Sequence, residues 1–359
     1  MPWGRRIPLA DYAARRIALI KPSSLGDIVH SLPVLTALRR RFPTAHIAWV
    51  VNRTYEPLLR GHPDLDATFP FDRGASKAGW PRALTAYGRW AAALLRQRFD
   101  LVIDLQGLLR SALMAAASGA TRRVGLSTAR EGAAFAYTDV VRVADPGTVH
   151  AVDRYWLVAE ALGAGGGPKE FRAPVAETER AWAREMLRPF PRPWLVLGVG
   201  ARWLTKRWPP GHFAELARRA QRRFGGTAVF VGGGDETPLA AAAAAGLDGP
   251  RCDLTGRTTL PQLAAVLSLA DAMLANDTGP LHLAAALGRP VVAPYTCTSV
   301  RLTGPYGSAA NAVEAPVACQ GSYLRRCPRL ECMAELTPDR LWPRLEEVLQ
   351  RWQSSCRSA

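Results

Sequence analysis

The sequence predicts an α/β protein built from two Rossmann-like domains that face each other across a cleft. Short apolar segments alternate with segments of helical periodicity in both halves of the chain, which is the pattern of a parallel sheet with crossover helices. Two glycine-containing turns, KPSSLGD at 21–27 and NDTGPLH at 276–282, each follow an apolar segment and open a helical one. Ligands of such proteins bind at turns of this kind. A length of 359 residues also suits two domains.

In the first half, strands and helices alternate from the start of the chain. The strands are predicted at residues 16–20, 46–51, 67–71 and 100–104, and the helices at residues 27–41, 55–60, 80–98 and 149–162. Pro33 falls inside the first helix, where proline removes a backbone hydrogen bond. We therefore expect a kink or a restart of that helix near Ser31.

The segment GAGGGP at 163–168 interrupts the pattern, which then starts again. Strands are predicted at residues 194–197, 228–231, 272–275 and 290–295, and helices at residues 211–224, 280–287 and 338–353. We expect an N-terminal Rossmann-like domain over 1–172 and a C-terminal Rossmann-like domain over 173–337. The final segment, 338–359, is expected to form a helix that packs back on the N-terminal domain.

The chain is strongly basic, with a net charge of +16 and a pI near 10.4. The abundance of Arg and Ala indicates that a coding bias contributes to this charge. Nucleic acid is not the expected partner, because zinc-finger spacing, RNP-like aromatic motifs and dense Lys/Arg blocks are all missing from the sequence. An anionic membrane surface or a phosphorylated amphiphile fits dispersed positive charge. Because no apolar segment is long enough to span a bilayer and no signal-peptide core follows the start, we expect a cytosolic protein.

All six cysteines lie in the second half of the chain: Cys252, Cys297, Cys319, Cys327, Cys332 and Cys356. In a cytosolic protein they should be reduced thiols. Cys319, Cys327 and Cys332 are close in sequence, but they lack the C-x-x-C spacing of zinc sites. Structural thiols are therefore the favoured interpretation. A metal site with Cys297 as the fourth ligand stays open as the alternative.

Taken one at a time, the polar residues of the two turns have ordinary structural explanations. Asp27 is well placed to cap a helix, His282 could be a packed polar residue, and Lys206 could be a solvated surface lysine. The segment GGG at 232–234 resembles a nucleotide-binding turn, but the full G-x-G-x-x-G pattern is missing from the first turn of both halves. A nicotinamide enzyme therefore receives little support, and no Walker-type loop is present.

Read together, five segments in order along the chain resemble the ADP-heptose:lipopolysaccharide heptosyltransferases, a family of GT-B fold. The segments are KPSSLGD at 21–27, DLQG at 104–107, KRWP at 206–209, GGGDE at 232–236 and DTGPLH at 277–282. Two more, GLSTARE at 125–131 and HAVDR at 150–154, resemble the heptosyltransferase I branch in particular. The resemblance covers roughly residues 16 to 350. The chain departs from it at 201–205 (ARWLT), where related enzymes carry a Thr-Thr pair and acids.

The resemblance implies an inverting transfer of heptose from ADP-L-glycero-D-manno-heptose to Kdo of the lipopolysaccharide inner core, with no metal and no cofactor. It also implies that the N-terminal domain (1–172) binds the acceptor and that the C-terminal domain (173–337) binds the nucleotide sugar. Asp27 is the candidate catalytic base, because a carboxylate is ionised at neutral pH and can accept the hydroxyl proton. The expected donor-binding residues are Lys206, Glu236, Asp277, Thr278, Gly279 and His282. The expected acceptor-binding residues are Ser24, Gly26, Arg73, Arg110 and Arg130.

Each donor-binding residue has an expected role. Lys206 and the helix N-terminus at Thr278 and Gly279 would stabilise the departing diphosphate electrostatically. The resemblance assigns Glu236 to the ribose hydroxyls. Asp277 would hold heptose hydroxyls, and His282 would support the sugar or the phosphate.

The expected partners are ADP-heptose, an anionic lipid A-type acceptor and the cytoplasmic face of the inner membrane, to which the protein would bind peripherally. Three alternatives stay open: a heptosyltransferase II-like enzyme with another acceptor, a non-catalytic binder of acidic glycolipids, and a sugar-nucleotide epimerase. A pure anion binder would gain nothing from a carboxylate such as Asp27 in its site. An epimerase would need paired carboxylates and histidines across the cleft, and on the N-domain side we find one strong candidate acid, Asp27.

Overall fold

The computed structural model describes residues 7–72 and 80–357, and it divides into two compact units, Met1–Pro174 and Val175–Ala359. The sequence placed the boundary two residues earlier, after residue 172. Each unit contains one six-stranded parallel sheet with helices, as the alternating pattern predicts. Arg73, one of the expected acceptor-binding residues, lies outside the described residues.

In the first unit the strand order is β3-β2-β1-β4-β5-β6. Its strands are β1 (Arg16–Ile20), β2 (His46–Asn52), β3 (Ala67–Phe71), β4 (Leu101–Asp104), β5 (Arg122–Leu126) and β6 (Asp139–Val141). Its helices are α1 (Leu25–Arg41), α2 (Trp80–Leu95), α3 (Leu109–Ala117) and α4 (Ala151–Ala161). The connections reverse direction between β1 and β4, and such a switch point is where α/β proteins bind ligands.

Two local features of the first unit differ from the predictions. The helix predicted at 55–60 is a short 3-10 helix, Glu56–Leu59, with Pro57 in its first turn. The predicted restart near Ser31 does not occur, because α1 runs unbroken through Pro33. Every residue of α1 from Ile28 to Leu38 is buried, so packing outweighs the hydrogen bond that proline removes.

In the second unit the strand order is β12-β11-β10-β7-β8-β9, with its own switch point between β7 and β10. The strands are β7 (Trp194–Gly198), β8 (Thr227–Phe230), β9 (Arg251–Asp253), β10 (Ala272–Ala275), β11 (Val291–Tyr295) and β12 (Ala312–Glu314). The helices are α5 (Glu177–Leu187), α6 (Pro210–Phe224), α7 (Thr237–Ala244), α8 (Leu260–Leu269), α9 (Gly279–Ala286), α10 (Val300–Thr303), α11 (Glu331–Glu335) and α12 (Pro338–Arg357).

The terminal helix α12 belongs to the second unit, which corrects the expectation that it packs on the N-terminal domain. It lies against α6 and β11. Its side chains Leu341, Leu345 and Leu349 are completely buried in the same core as Trp208 and Phe213. The periodicity of the helix specified an apolar face, but the second unit's own sheet provides the surface that covers it. None of the described helices is long and apolar enough to cross a membrane.

The packing of α12 predicts that Leu345→Ala destabilises the second unit by about 2–5 kcal/mol, the usual cost of a cavity left by a buried leucine. Gln350→Ala is the matched control, because Gln350 is exposed on the same helix. Urea denaturation followed by circular dichroism measures both free energies of unfolding. A loss for Leu345→Ala no larger than that of the control would contradict this placement of α12.

Candidate functional site

At the first switch point, a buried lysine is surrounded by oxygen atoms. The Lys21 side chain, which follows β1, is only 2% exposed. Its Nζ donates hydrogen bonds to the Leu105 carbonyl (3.1 Å) and to the Tyr155 hydroxyl (2.9 Å), and lies 3.7 Å from Asp27 Oδ1. A buried charge requires such partners. The lysine therefore links the turn after β1 to the turn after β4 and to α4, which carries Tyr155.

Asp27 lies in the first turn of α1 and closes a capping box with Ser24. Its Oδ2 accepts hydrogen bonds from the Ser24 backbone N–H (3.1 Å) and hydroxyl (2.8 Å), and its Oδ1 accepts one from the Tyr155 hydroxyl (3.2 Å). Burial alone would raise the pKa of Asp27, but the Lys21 charge and the Ser24 bonds outweigh it and hold that pKa well below its usual range. The side chain remains 38% exposed. Asp27 is thus a capping residue, as its position suggested, and also an ionised carboxylate that solvent can reach.

Asp104, at the end of β4, fixes the conformation of the turn that follows this strand. Its Oδ1 accepts hydrogen bonds from the backbone N–H groups of Gln106 (2.8 Å) and Gly107 (3.1 Å), and its Oδ2 accepts one from the Tyr137 hydroxyl (2.7 Å). The side chain is buried, and burial raises the pKa of this carboxyl group. Asp104 therefore holds the DLQG turn in place and does not face solvent.

The segments DLQG and STARE, which are about 20 residues apart in sequence, meet in the structure. The Arg130 N–H donates to the Gly107 carbonyl at 2.8 Å, and the Glu131 carboxylate accepts the Leu109 N–H at the start of α3 (3.2 Å). Gly107 has a φ of +65°, and a Cβ there would lie 3.3 Å from the Ala129 Cα. Arg130 itself is exposed.

Among the residues that the structure describes, the other expected acceptor-binding residues lie near the same edge. Ser24 is exposed at the N-terminus of α1, and Gly26 is buried in its first turn. Arg110 is exposed in the first turn of α3.

At the second switch point, Asp277 is the centre of a hydrogen-bonded cluster. It follows β10 and is 5% exposed. Its Oδ2 accepts bonds from Lys206 Nζ (2.5 Å) and the Thr298 hydroxyl (2.7 Å). Its Oδ1 accepts the Tyr295 hydroxyl (3.2 Å) and lies 3.1 Å from His282 Nε2. Burial would raise the pKa of Asp277, but His282 and Lys206 outweigh it and hold the pKa well below its usual range.

The remaining donor-binding candidates surround this cluster. Thr278 is the N-cap of α9 and Gly279 its first residue. Glu236 accepts a hydrogen bond from the Gly233 N–H at 3.0 Å, and a Cβ at Gly200 would lie 2.0 Å from its Cδ, so a larger residue at 200 would displace the Glu236 side chain. Burial raises the pKa of Glu236. Asn276 joins the turn after β10 to the turn after β7, since its side-chain amide donates a hydrogen bond to the Val199 carbonyl at 2.9 Å.

Sequence reasoning missed several residues of these clusters. It assigned no role to Lys21, Tyr155, Tyr295 or Thr298, because side chains from distant segments supply the contacts. Trp203 is a further example: Lys206 Nζ lies 4.8 Å from its ring centroid and Arg325 Cζ lies 5.0 Å from the same centroid. The tryptophan in ARWLT was the only signal in the sequence for this contact.

The metal alternative for the cysteines finds no support in the geometry. Across residues 7–72 and 80–357, no three His, Cys, Asp or Glu side chains are arranged to hold one metal ion. The six cysteines are free thiols, and Cys252, Cys297 and Cys332 are buried.

Comparison with known proteins identifies the family. Residues 87–332 match the family described as "Glycosyltransferase family 9 (heptosyltransferase)". The chain is 32% identical to lipopolysaccharide heptosyltransferase 1 of Pseudomonas aeruginosa, over 93% of this chain and 98% of that protein. The chain therefore belongs to glycosyltransferase family 9, which confirms the resemblance found in the sequence.

Two solved structures at 26% identity are similar over nearly the whole chain. The Escherichia coli heptosyltransferase WaaC with ADP gives a TM-score of 0.73, covering 93% of this chain and 99% of that one. The same enzyme has been solved with ADP-2-deoxy-2-fluoro heptose. Escherichia coli ADP-heptose lps heptosyltransferase II gives a TM-score of 0.74, covering 94% and 99%. The fold is accordingly of the GT-B class.

The Asp277 cluster predicts an acid-dependent loss of stability. Because the pKa of Asp277 is lowered on folding, its contribution is fully present above the unfolded pKa of about 3.9 and is lost as the pH falls below that value. We expect Asp277→Asn to destabilise the second unit at pH 6, by on the order of 3 kcal/mol. The free energy of unfolding should then fall less between pH 6 and pH 3 in the variant than in the wild type.

Denaturation curves at the two pH values measure both effects. Asp248→Asn is the control, since Asp248 is an exposed acid of the same unit. An equal fall between pH 6 and pH 3 for wild type and Asp277→Asn would show that this carboxylate does not contribute to the acid response.

Proposed function

We propose that this family 9 enzyme transfers a heptose from ADP-L-glycero-D-manno-heptose to Kdo of the lipopolysaccharide inner core. The Pseudomonas relative named lipopolysaccharide heptosyltransferase 1 supports this reaction. The complexes of the Escherichia coli enzyme with ADP and with a fluorinated ADP-heptose support the donor. The observation that carries the proposal is the solvent-accessible, ionised carboxylate of Asp27, held at a strand switch point by Lys21, Ser24 and Tyr155.

The proposed chemical step is a single displacement with inversion. The acceptor hydroxyl oxygen forms a bond to the anomeric carbon of heptose, the bond from that carbon to the phosphate oxygen breaks, and ADP leaves with the electron pair. The hydroxyl proton passes to Asp27. A carboxylate of low pKa is a weak base towards a resting hydroxyl, but the hydroxyl becomes acidic as its new bond forms. The Lys21 charge keeps Asp27 ionised and ready to accept that proton.

The proposal assigns the donor to the second unit. The diphosphate would lie near Lys206 and the N-terminus of α9 at Thr278 and Gly279, where positive charge and the helix dipole favour anions. Glu236 would accept the ribose hydroxyls. His282 would support the sugar or phosphate side through its contact with Asp277.

The geometry of Asp277 bears on its expected role of holding heptose hydroxyls. Four protein groups already surround its two oxygens, and this fills the usual acceptor capacity of a carboxylate. Direct contact with heptose would require one of these contacts to open. Asp277 is better suited to positioning Lys206 and His282.

The proposal assigns the acceptor to the first unit, where the exposed Arg110 and Arg130 would bind the carboxylates and phosphates of Kdo-lipid A. Ser24 and Gly26, beside Asp27, would contact the reacting sugar, and Arg73 keeps its role as an expectation from the sequence. An acceptor anchored in lipid implies that the enzyme works as a peripheral protein at the cytoplasmic face of the inner membrane. No nucleic acid partner is proposed.

The direct test is an assay of the purified protein with ADP-heptose and Kdo-lipid A. Mass spectrometry should detect a product heavier by one heptose. An acceptor that already carries one heptose distinguishes the heptosyltransferase II-like alternative. Transfer to that acceptor alone would contradict the proposed acceptor.

We expect Asp27→Asn to lower the turnover rate by about 10²–10⁴-fold, because the isosteric amide cannot accept the hydroxyl proton. ADP affinity measured by calorimetry should stay within a few-fold of wild type, since the donor is assigned to the other unit. Asp11→Asn, at an exposed position of the same unit, is the control and should behave as wild type. If Asp27→Asn turned over at nearly the normal rate, Asp27 would act only as a helix cap.

Arg130→Ala should raise the Michaelis constant for the acceptor far more than that for ADP-heptose. Arg130→Lys should restore it only in part, because an ammonium lacks the bidentate geometry of guanidinium. High salt should mimic the alanine variant, since exposed charge contacts are screened.

Steady-state kinetics with each substrate varied measures these effects. Arg15→Ala is the control, since Arg15 is exposed just before the start of β1, at the opposite edge of the sheet. Loss of donor affinity in Arg130→Ala with an unchanged acceptor constant would contradict the assignment of the acceptor to the first unit.

A further inference from the structure

Large apolar side chains are exposed on one part of the first unit. They belong to α2, α3 and the 3-10 helix Ala133–Ala136, and each is between 42% and 64% exposed: Leu84, Leu95, Leu109, Leu113 and Phe135. Monomeric proteins usually scatter such side chains singly, and a cluster of them marks an interaction site.

The fold places these elements side by side. The connections β3-α2-β4 and β4-α3-β5 move in the same direction across the sheet, so right-handed crossovers put α2 and α3 on the same face. α3 contacts both α2 and the 3-10 helix. Within α3, Leu109, Arg110 and Leu113 are exposed while Ala112 and Met114 are buried. The exposed apolar side chains therefore belong to three neighbouring elements of the first unit.

The same surface carries cations and almost no acids. Its exposed arginines are Arg82, Arg89, Arg96 and Arg110. The sequence contains no Asp or Glu between Asp72 and Asp100, and none between Asp104 and Glu131. The carboxylate of Glu131 accepts a hydrogen bond from the Leu109 N–H at the start of α3. We name these five apolar side chains and four arginines the α2–α3 face.

We infer that the α2–α3 face docks the enzyme on an anionic lipid bilayer, an inference that rests on the proposed function. Apolar side chains that enter the interface, with arginines at the level of the headgroups, are the combination that holds peripheral proteins on anionic membranes. Arg110 belongs to the face, and Arg130 directly precedes Glu131. Both are proposed to bind the acceptor. The surface that meets the bilayer is therefore continuous with the residues that would bind a lipid-anchored substrate.

Binding to vesicles tests the inference. The full chain should co-sediment with vesicles of phosphatidylglycerol and phosphatidylcholine at least about tenfold more strongly than with phosphatidylcholine alone, and raised salt should weaken this binding. The double variant Leu113→Ser/Phe135→Ser should reduce the partition coefficient by about a hundredfold, since each of the two apolar side chains is worth roughly one decade when it is buried in the membrane. The control Val140→Ser/Met186→Ser replaces exposed apolar residues elsewhere and should bind as wild type.

Activity measurements separate this inference from the proposed function. The double variant should glycosylate a deacylated, soluble Kdo acceptor at the wild-type rate, but should be slower on Kdo-lipid A in vesicles. Unchanged vesicle binding by the double variant, or failure of the wild type to bind anionic vesicles, would overturn the α2–α3 face as the docking surface whatever the activity. If the wild type bound anionic vesicles through this face but transferred heptose to neither acceptor, the docking surface would stand and the proposed function would fail.

Discussion

Each unit of this protein depends on a lysine and an aspartate that are paired at the switch point of a parallel sheet. In the first unit Lys21 and Asp27 lie 3.7 Å apart, and in the second Lys206 and Asp277 lie 2.5 Å apart. Removing a charge from water is costly unless a counter-charge and hydrogen bonds compensate for it. The surrounding turns therefore adopt the conformation that supplies those partners.

A tyrosine hydroxyl completes each pair from a distant segment. Tyr155 on α4 bonds to Asp27, and Tyr295 at the end of β11 bonds to Asp277. Both pairs also draw in the turn after a neighbouring strand: Lys21 reaches the Leu105 carbonyl, and Asn276 beside Asp277 reaches the Val199 carbonyl. The two halves of the chain, which share no sequence repeat, thus contain the same local arrangement of a lysine, an aspartate and a tyrosine.

The aspartates of the two pairs differ in solvent exposure, and this difference suits them to different proposed roles. Asp27 keeps 38% of its side chain exposed and accepts three hydrogen bonds, which leaves acceptor capacity for a substrate hydroxyl. Asp277 keeps 5%, and its oxygens are surrounded by protein groups. One carboxylate is suited to accepting a proton, and the other to holding a cation and a histidine in place.

The sequence by itself determined the parallel α/β architecture, the main strands, the family and the candidate residues, because apolar periodicity and glycine turns are local properties. Tertiary structure determined which surfaces pack against each other and which distant side chains come into contact. The apolar stripe of α12 specified burial but not the partner, and the second unit's sheet supplied it. Pro33 predicted a kink or a restart of the helix, but α1 does not restart, since its packing in the core holds it continuous through Pro33. The oxygens around Lys21 come from residues up to 134 positions away, and contacts over such distances form only when the chain folds.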